Sequence, residues 1–360
     1  MRILFVLPND YYGGAETVIK KLAIHLSKEN DVFIFILTKQ QGSFFENLKI
    51  TNNIQVFYGL FSKELVSIIP FIFKLFFLKN KYFDLIFTSH VNTNSFISII
   101  LKLKILKKKY YVTRESTKIF ERFANSKKLL FYKMYYILGY NSTIDLWISQ
   151  TNEMKAQLFN NIKKKYLLKK INVIHNPYDR SLNTNDNFIS SIPYLVACGR
   201  FVRDKGFDVL INSFNLFLKD YPNYLLYIIG SGIEYNNLKQ LIQELNLNNK
   251  VILLGIINNP KIYFYNSKAC IMPSIFEGFP NTLLEMMECN NNIVSTLSTN
   301  SISKINGIYL CQPNSVIDLK NAIVNCIKAD NINNRIYFDN YLNGISTNSF
   351  INKIFKILSS

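Results

Sequence analysis

Two carboxylates stand eight positions apart in Pro273-Ser274-Ile275-Phe276-Glu277-Gly278-Phe279-Pro280-Asn281-Thr282-Leu283-Leu284-Glu285. The apolar run Ala269-Cys270-Ile271-Met272 reads as a buried parallel strand, and Leu283 to Met287 as the opening of a helix. Glu277 and Glu285 therefore lie on either side of a helix start. A helix N-terminus offers N–H groups and partial positive charge, which suit a diphosphate. Carboxylates are poor phosphate ligands but good acceptors for hydroxyls. The combination points to a ligand carrying both phosphates and sugars. The same residues also fit an S/T-x-x-E capping box from Thr282 to Glu285, with Glu277 and Gly278 forming a polar turn.

Cations for such a ligand occur in Gly199-Arg200-Phe201-Val202-Arg203-Asp204-Lys205-Gly206, which follows the strand-like Tyr194–Cys198. Arg200 and Lys205 can neutralise a diphosphate, one through its fork and the other as a point charge. Arg203, next to Asp204, reads as solvated. Gly13-Gly14-Ala15-Glu16 follows an apolar first strand, where two glycines let backbone approach a ligand closely. It is not the G-x-G-x-x-G of dinucleotide binding. Gly230-Ser231-Gly232 is a third small turn after a strand, either structural or lining a phosphate or base.

These loops need a scaffold of strands alternating with helices. Arg2–Leu7, Asp31–Leu37, Ile54–Phe57, Asp84–Phe87, Tyr110–Thr113, Asp145–Ser149 and Asn172–His175 read as strands with helical material between. After the polar, proline-bearing stretch from Asn176 to Pro193, the alternation restarts at Tyr194–Cys198 and runs to a helix near Ser315–Lys328. Such alternation predicts an α/β chain of two doubly wound parallel sheets facing a central cleft, with ligands at the strands' carboxyl ends. The expected domains are 1–178, 192–334, and a helical segment 335–360 packing back on the first.

The chain has 360 residues, 49% of them hydrophobic, enough for two cores. Its formal charge of +18 suggests anionic partners. The composition, rich in Asn, Ile and Lys, also fits a coding bias toward lysine. Five cysteines without a C-x-x-C pair read as reduced core thiols of a cytoplasmic protein. Arg2 to Leu7 already reads as a strand, so no signal peptide is expected. The apolar run from Leu65 to Leu78 contains Pro70 and Lys74 and is too short to span a bilayer. Nucleic-acid binding is not expected, because no such module is visible.

Gly-Gly-Ala-Glu after the first strand, Gly-Arg with Lys-Gly after the linker, Gly-Ser-Gly, and the Glu277/Glu285 pair come in an order that resembles GT4-type retaining glycosyltransferases. The resemblance runs from Arg2 to about Glu288 and implies the GT-B fold of two Rossmann-like domains. The Glu-Gly-Phe-Pro-Asn form looks most like enzymes that build capsules, O-antigens, lipopolysaccharide and other bacterial surface polysaccharides. It implies that Glu277 contacts donor-sugar hydroxyls and that Glu285 accepts from the ribose. Arg200 and Lys205 would hold the diphosphate, aided by N–H groups near Thr282 and Leu283. Gly278 and Phe279 would offer N–H groups to the sugar, while Gly230 and Gly232 would line the donor site. Gly13 and Gly14 would approach donor phosphate and acceptor. His90, just past a strand end, stands where family members often carry a histidine facing the sugar; a lone histidine there is also commonly only a satisfied polar residue.

The implied activity is metal-independent transfer of a hexosyl or N-acetylhexosaminyl group, with no cofactor and a nucleotide-sugar, UDP-linked, as co-substrate. The acceptor would be lipid-linked or a growing oligosaccharide, with Arg114 and Glu115 as candidate contacts. A noncatalytic nucleotide-sugar-binding scaffold and a sugar-nucleotide epimerase are the competing readings. The chain departs from the family at Glu288-Cys289-Asn290-Asn291-Asn292, where a Gly and a Pro usually stand, and in Ser298 to Lys304, which lacks the usual glycines and acid. Between Lys63 and Lys133 there are 15 Lys/Arg against four acids, interleaved with aromatic residues. That composition suits peripheral contact with anionic lipid on the inner face of the plasma membrane.

Overall fold

A computed structural model describes the chain except residues 12, 41, 43, 47, 49–52, 64–65, 67–70, 73–80, 127–128, 131, 135–142, 163–164, 181–187 and 360. Most of the apolar run from Leu65 to Leu78 lies outside the described residues. The chain forms two compact units, Met1–Pro177 with Ile345–Ser360, and Tyr178–Gly344.

The first unit contains β1 (Arg2–Leu7), α1 (Gly14–Leu26), β2 (Asp31–Ile36), β3 (Ile54–Tyr58), β4 (Tyr82–Ser89), α2 (Val91–Lys102) and β5 (Lys107–Arg114). It continues through α3 (Ile119–Arg122), β6 (Leu146–Ser149), α4 (Asn152–Asn161), α5 (Lys165–Leu168) and β7 (Ile171–Val173). Its sheet order is β3-β2-β1-β4-β5-β6-β7, all parallel. Ile3 to Leu7 and Val32 to Ile36 are almost wholly buried, because helices cover both faces of a parallel sheet. Thr151 caps α4 by accepting from Met154 N at 3.2 Å.

The second unit contains β8 (Tyr194–Cys198), α6 (Phe207–Phe217), β9 (Leu225–Ile229), α7 (Tyr235–Glu244), β10 (Val251–Gly255) and α8 (Lys261–Tyr265). It continues through β11 (Ala269–Met272), α9 (Asn281–Cys289), β12 (Ile293–Thr296), β13 (Ile308–Cys311), α10 (Val316–Lys328) and α11 (Asn334–Asn343). The sheet order is β10-β9-β8-β11-β12-β13, again parallel. Each sheet therefore reverses direction beside its own first strand, between β1 and β4 and between β8 and β11. A crevice for ligand opens at such a switch point.

Two expectations change. The terminal segment from Arg335 is two helices, parted after Asn343. Here α11 belongs to the second unit, and α12 (Thr347–Ser359) packs Phe350, Ile351 and Ile354 into the core beside α1. Both helices carry an apolar face, so periodicity alone does not show the break. The described ends of the connector after Pro177 are also held: Tyr178 donates to Glu288, Arg180 donates to Asp339 Oδ1 at 2.7 Å, and Phe188 stacks on Tyr263 at 4.5 Å. Among the described residues, no helix is long and apolar enough to cross a membrane.

Candidate active site

At the switch point of the second sheet, the loop after β8 and the loop after β11 are joined by their backbones. Ile275 N and Phe276 N both donate to Asp204 O, at 2.8 and 3.4 Å. Gly206 is in the left-handed region at φ 62°, and a Cβ there would stand 2.3 Å from Pro273 O. Only glycine lets the two loops approach so closely. This approach brings Lys205 to Glu277: the ammonium donates to the carboxylate, which also accepts from Ser274 Oγ at 3.0 Å. Both side chains are largely buried, 18% and 15% exposed. Glu277 N donates in turn to Ser298 O at 3.3 Å, so the loop after β12 is part of the same site.

Arg200 is exposed in the loop after β8, and Arg203 is exposed as expected of a solvated residue. Gly278 and Phe279 are buried. Thr282 and Leu283 lie in the first turn of α9, whose N-cap is Pro280 with no side-chain cap. The capping box is not formed. Because the helix starts at Asn281, Glu285 falls within it, past its first turn. Glu285 is half-buried and close enough to Cys198, at the end of β8, to reinforce the effect of burial, which pushes that thiol up to about 12.

Gly230 and Gly232 have φ of 146° and 155°, and a Cβ at either would meet backbone, 1.9 Å from Gly199 O and 2.4 Å from Phe201 O. Their immediate duty is to let the turn after β9 cross the loop after β8, where Phe201 N donates to Ser231 O at 2.7 Å.

The divergent segment has its own logic. Asn290 ends α9 by donating to Phe264 O (2.7 Å) and Ser267 O (2.9 Å) and accepting from Asn292 N at 2.8 Å. Asn331 joins it by donating to Asn292 Oδ1 at 2.7 Å, and Asn334 by donating to Asn291 O at 3.1 Å. Asparagine side chains thus do the turn-making that glycine and proline do elsewhere. This cluster escapes a sequence reading because its partners lie up to 43 residues apart. In the following loop, Ser298 and Thr299 are 4% and 2% exposed, and their hydroxyls have no hydrogen-bond partner among the described residues.

The switch point of the first sheet carries a second constellation. Gly13 is extended at φ −157° and caps α1, and Gly14 begins that helix. Glu16 folds its carboxylate over Gly13, where a Cβ would stand 2.4 Å from Glu16 Oε2. His90, at the end of β4, lies with Nε2 3.6 Å from Glu16 Oε1 and donates through Nδ1 to Ser89 O. Arg114 and Glu115, expected as acceptor contacts, are each 1% exposed. Arg114 donates to Ser89 Oγ at 3.1 Å and to Asn176 Oδ1, while Glu115 Oε1 accepts from Trp147 Nε1 at 3.2 Å. Buried and engaged, they are not presented to an acceptor. Burial lowers the Arg114 guanidinium to about 10, opposed by the charges of Glu16 and Glu115.

Residues 181–340 match the family model described as glycosyl transferases group 1. Over 234 residues the chain is 32% identical to an uncharacterized glycosyltransferase of Methanocaldococcus jannaschii, a match covering 59% of this chain and 55% of that protein. It is 33% identical to the N-acetylgalactosamine-N,N'-diacetylbacillosaminyl-diphospho-undecaprenol 4-alpha-N-acetylgalactosaminyltransferase of Campylobacter jejuni, over 36% of this chain and 35% of that enzyme. The chain thus spans about half the length of the first relative and about a third of the second. Among solved structures, HepE of Anabaena in complex with UDP-glucose superposes with a TM-score of 0.80 at 17% identity, over 100% of this chain and 99% of that one. Residues 181–340 thus resemble the glycosyl transferases group 1 family, and the whole chain has the GT-B fold.

Proposed function

We propose that this chain is a retaining glycosyltransferase that moves a hexosyl or N-acetylhexosaminyl group from a UDP-linked donor to a lipid-linked or growing surface glycan. The observation that carries this reading is the Lys205–Glu277 pair at the switch point of the second unit, with Ser274 on the same carboxylate. It sets a phosphate-binding cation beside a hydroxyl-accepting carboxylate, the two needs of a sugar diphosphate. Departure of a nucleoside diphosphate places charge on the β-phosphate oxygen, and Lys205 with Arg200 stabilises that charge as it develops. Glu277 accepts from sugar hydroxyls, and Glu285, inside α9, accepts from the ribose. The leaving oxygen takes the acceptor's proton on the face it departs from, which gives retention without a protein nucleophile or a metal. This differs from glycosidases, where two carboxyl groups flank the bond. His90 is read as the family's sugar-facing histidine.

The relative named for a diphospho-undecaprenol substrate supports a lipid-linked acceptor. In the first unit, Ile99 (41% exposed) and Leu103 (64% exposed) lie one helical turn apart among exposed Lys102, Lys104, Lys107 and Lys109. That surface suits peripheral docking on anionic headgroups at the cytoplasmic face. The test is UDP release by purified protein across a panel of UDP-sugars, with and without lipid-linked acceptor. Product should keep the donor's anomeric configuration. Donor binding without UDP release would leave a scaffold, and donor conversion without acceptor an epimerase.

A further inference from the structure

His90 has φ 97°, a region that residues other than glycine seldom occupy. Such a backbone persists only where its surroundings over-determine it, and it gathers at functional sites. The over-determination at residue 90 is visible. His90 O accepts from Asn94 N and Thr93 Oγ1, each at 2.9 Å, and so begins α2. Thr93 Oγ1 also donates to Ser89 O at 2.9 Å, the same carbonyl that receives His90 Nδ1. On its other side Ser89 is held by Arg114, whose Nη1 donates to Ser89 Oγ.

Arg114 is anchored from behind. Its Nη2 donates to Asn176, Asn176 Nδ2 donates to Gln150 Oε1 at 3.0 Å, and Gln150 Nε2 donates to Glu115 O at 2.8 Å. These groups come from the ends of β5 and β6 and from the segment after β7, so the network spans one edge of the sheet. A buried guanidinium is expensive, and apolar residues fill a core more cheaply. Nothing in the sheet's own hydrogen bonding needs this side chain. What it reaches is the corner that carries His90.

We propose that Arg114 is a positioning residue that, through Ser89, fixes the Ser89–His90 corner and so directs the Nδ1 proton of His90 to Ser89 O. The catalytic consequence rests on reading His90 as the sugar-facing histidine; the orientation of the ring does not.

The test uses the full chain with 15N-labelled imidazoles. The chain has three histidines, and His90→Gln assigns the signal. At mildly alkaline pH, His90 should show the Nδ1-protonated pattern, and Arg114→Met and Ser89→Ala should both replace it with the averaged pattern of a free imidazole. Arg114→Lys should keep part of it. An unchanged His90 pattern in folded Ser89→Ala overturns the proposal, and this variant, which loses one hydroxyl, serves even if Arg114→Met does not fold. In parallel, both variants should lower kcat for UDP release by about 10- to 100-fold with donor KM little changed. An altered spectrum with unchanged kcat supports the positioning and counts instead against His90 acting in transfer.

Discussion

The ammonium of Lys205, in the loop after β8, is paired with the carboxylate of Glu277, in the loop after β11, 72 residues further along the chain. Neither loop alone makes a site. Gly206 against Pro273 O and the donations to Asp204 O hold them at contact distance, and the pair inherits its geometry from that seam.

Glu277→Gln and Lys205→Met should each lower kcat by about 100-fold or more, because each removes a group that acts on the departing diphosphate or its sugar. As the two act together, the double variant should be little worse than either single one. UDP release at saturating donor measures this. Full activity in folded Glu277→Gln would sink the assignment.

Glu285→Gln should weaken UDP-sugar binding roughly 10- to 150-fold and leave the melting temperature of the free protein nearly unchanged. The reason is that α9 begins at Asn281 and does not use Glu285 as a cap; losing one hydroxyl contact to a charged acceptor is worth about 1.5–3 kcal/mol. Thermal shift with and without donor reads both quantities. A large loss of stability with intact binding would make Glu285 structural.

Gly230→Ala should destabilise the second unit by more than Gly255→Ala. Both glycines have positive φ, but a Cβ at 230 meets Gly199 O at 1.9 Å, while at 255 no atom of the described residues beyond its chain neighbours comes within 4 Å. Strain alone costs about 1–3 kcal/mol, and the clash adds displaced backbone. Chemical unfolding of the two variants compares them directly, and equal losses would mean that the close crossing is not essential.

Stability should decline as pH rises above about 9. Burial pushes the thiols of Cys198, Cys289, Cys311 and Cys326 up to about 12 from 9.0, and that of Cys270 in the same direction. A raised folded-state value gives stability that is whole below 9.0 and is lost as the unfolded chain ionises first. Each thiol contributes a slope of about 1.4 kcal/mol per pH unit in that window. Tyr178, raised by burial and by Glu288, adds to the loss above 10.0. Unfolding under reducing conditions at stepped pH tests this; Cys326→Ala should flatten the decline, and a flat wild-type profile would contradict it.

Much of the architecture was legible in the residues. Runs such as Ile3 to Leu7 and Ala269 to Met272 have the apolar continuity of strands buried on both faces, and that property is local to the chain. That Lys205 and Glu277 come to the same end of the sheet was legible for the same reason, since each stands in a loop that follows a strand. The break after Asn343 was not legible, because the helices on either side of it are both amphipathic and only their packing partners differ.

Side-chain roles that depend on distant partners were decided by the tertiary structure alone. Arg114 reads from sequence as a strand-end cation offered to a ligand; the fold closes Ser89, Asn176 and Gln150 around it and buries it. Glu285 fits a capping box by spacing, yet α9 starts with Pro280 as N-cap and leaves the box unformed. Gly230 and Gly232 read from sequence either as a structural turn or as ligand lining; the fold shows backbone from the neighbouring loop filling the space where a Cβ would stand. Periodicity, strand ends and charge are properties of neighbours in sequence, and the chain states them. What each side chain touches across 60 or 70 residues is set only when the sheets are assembled.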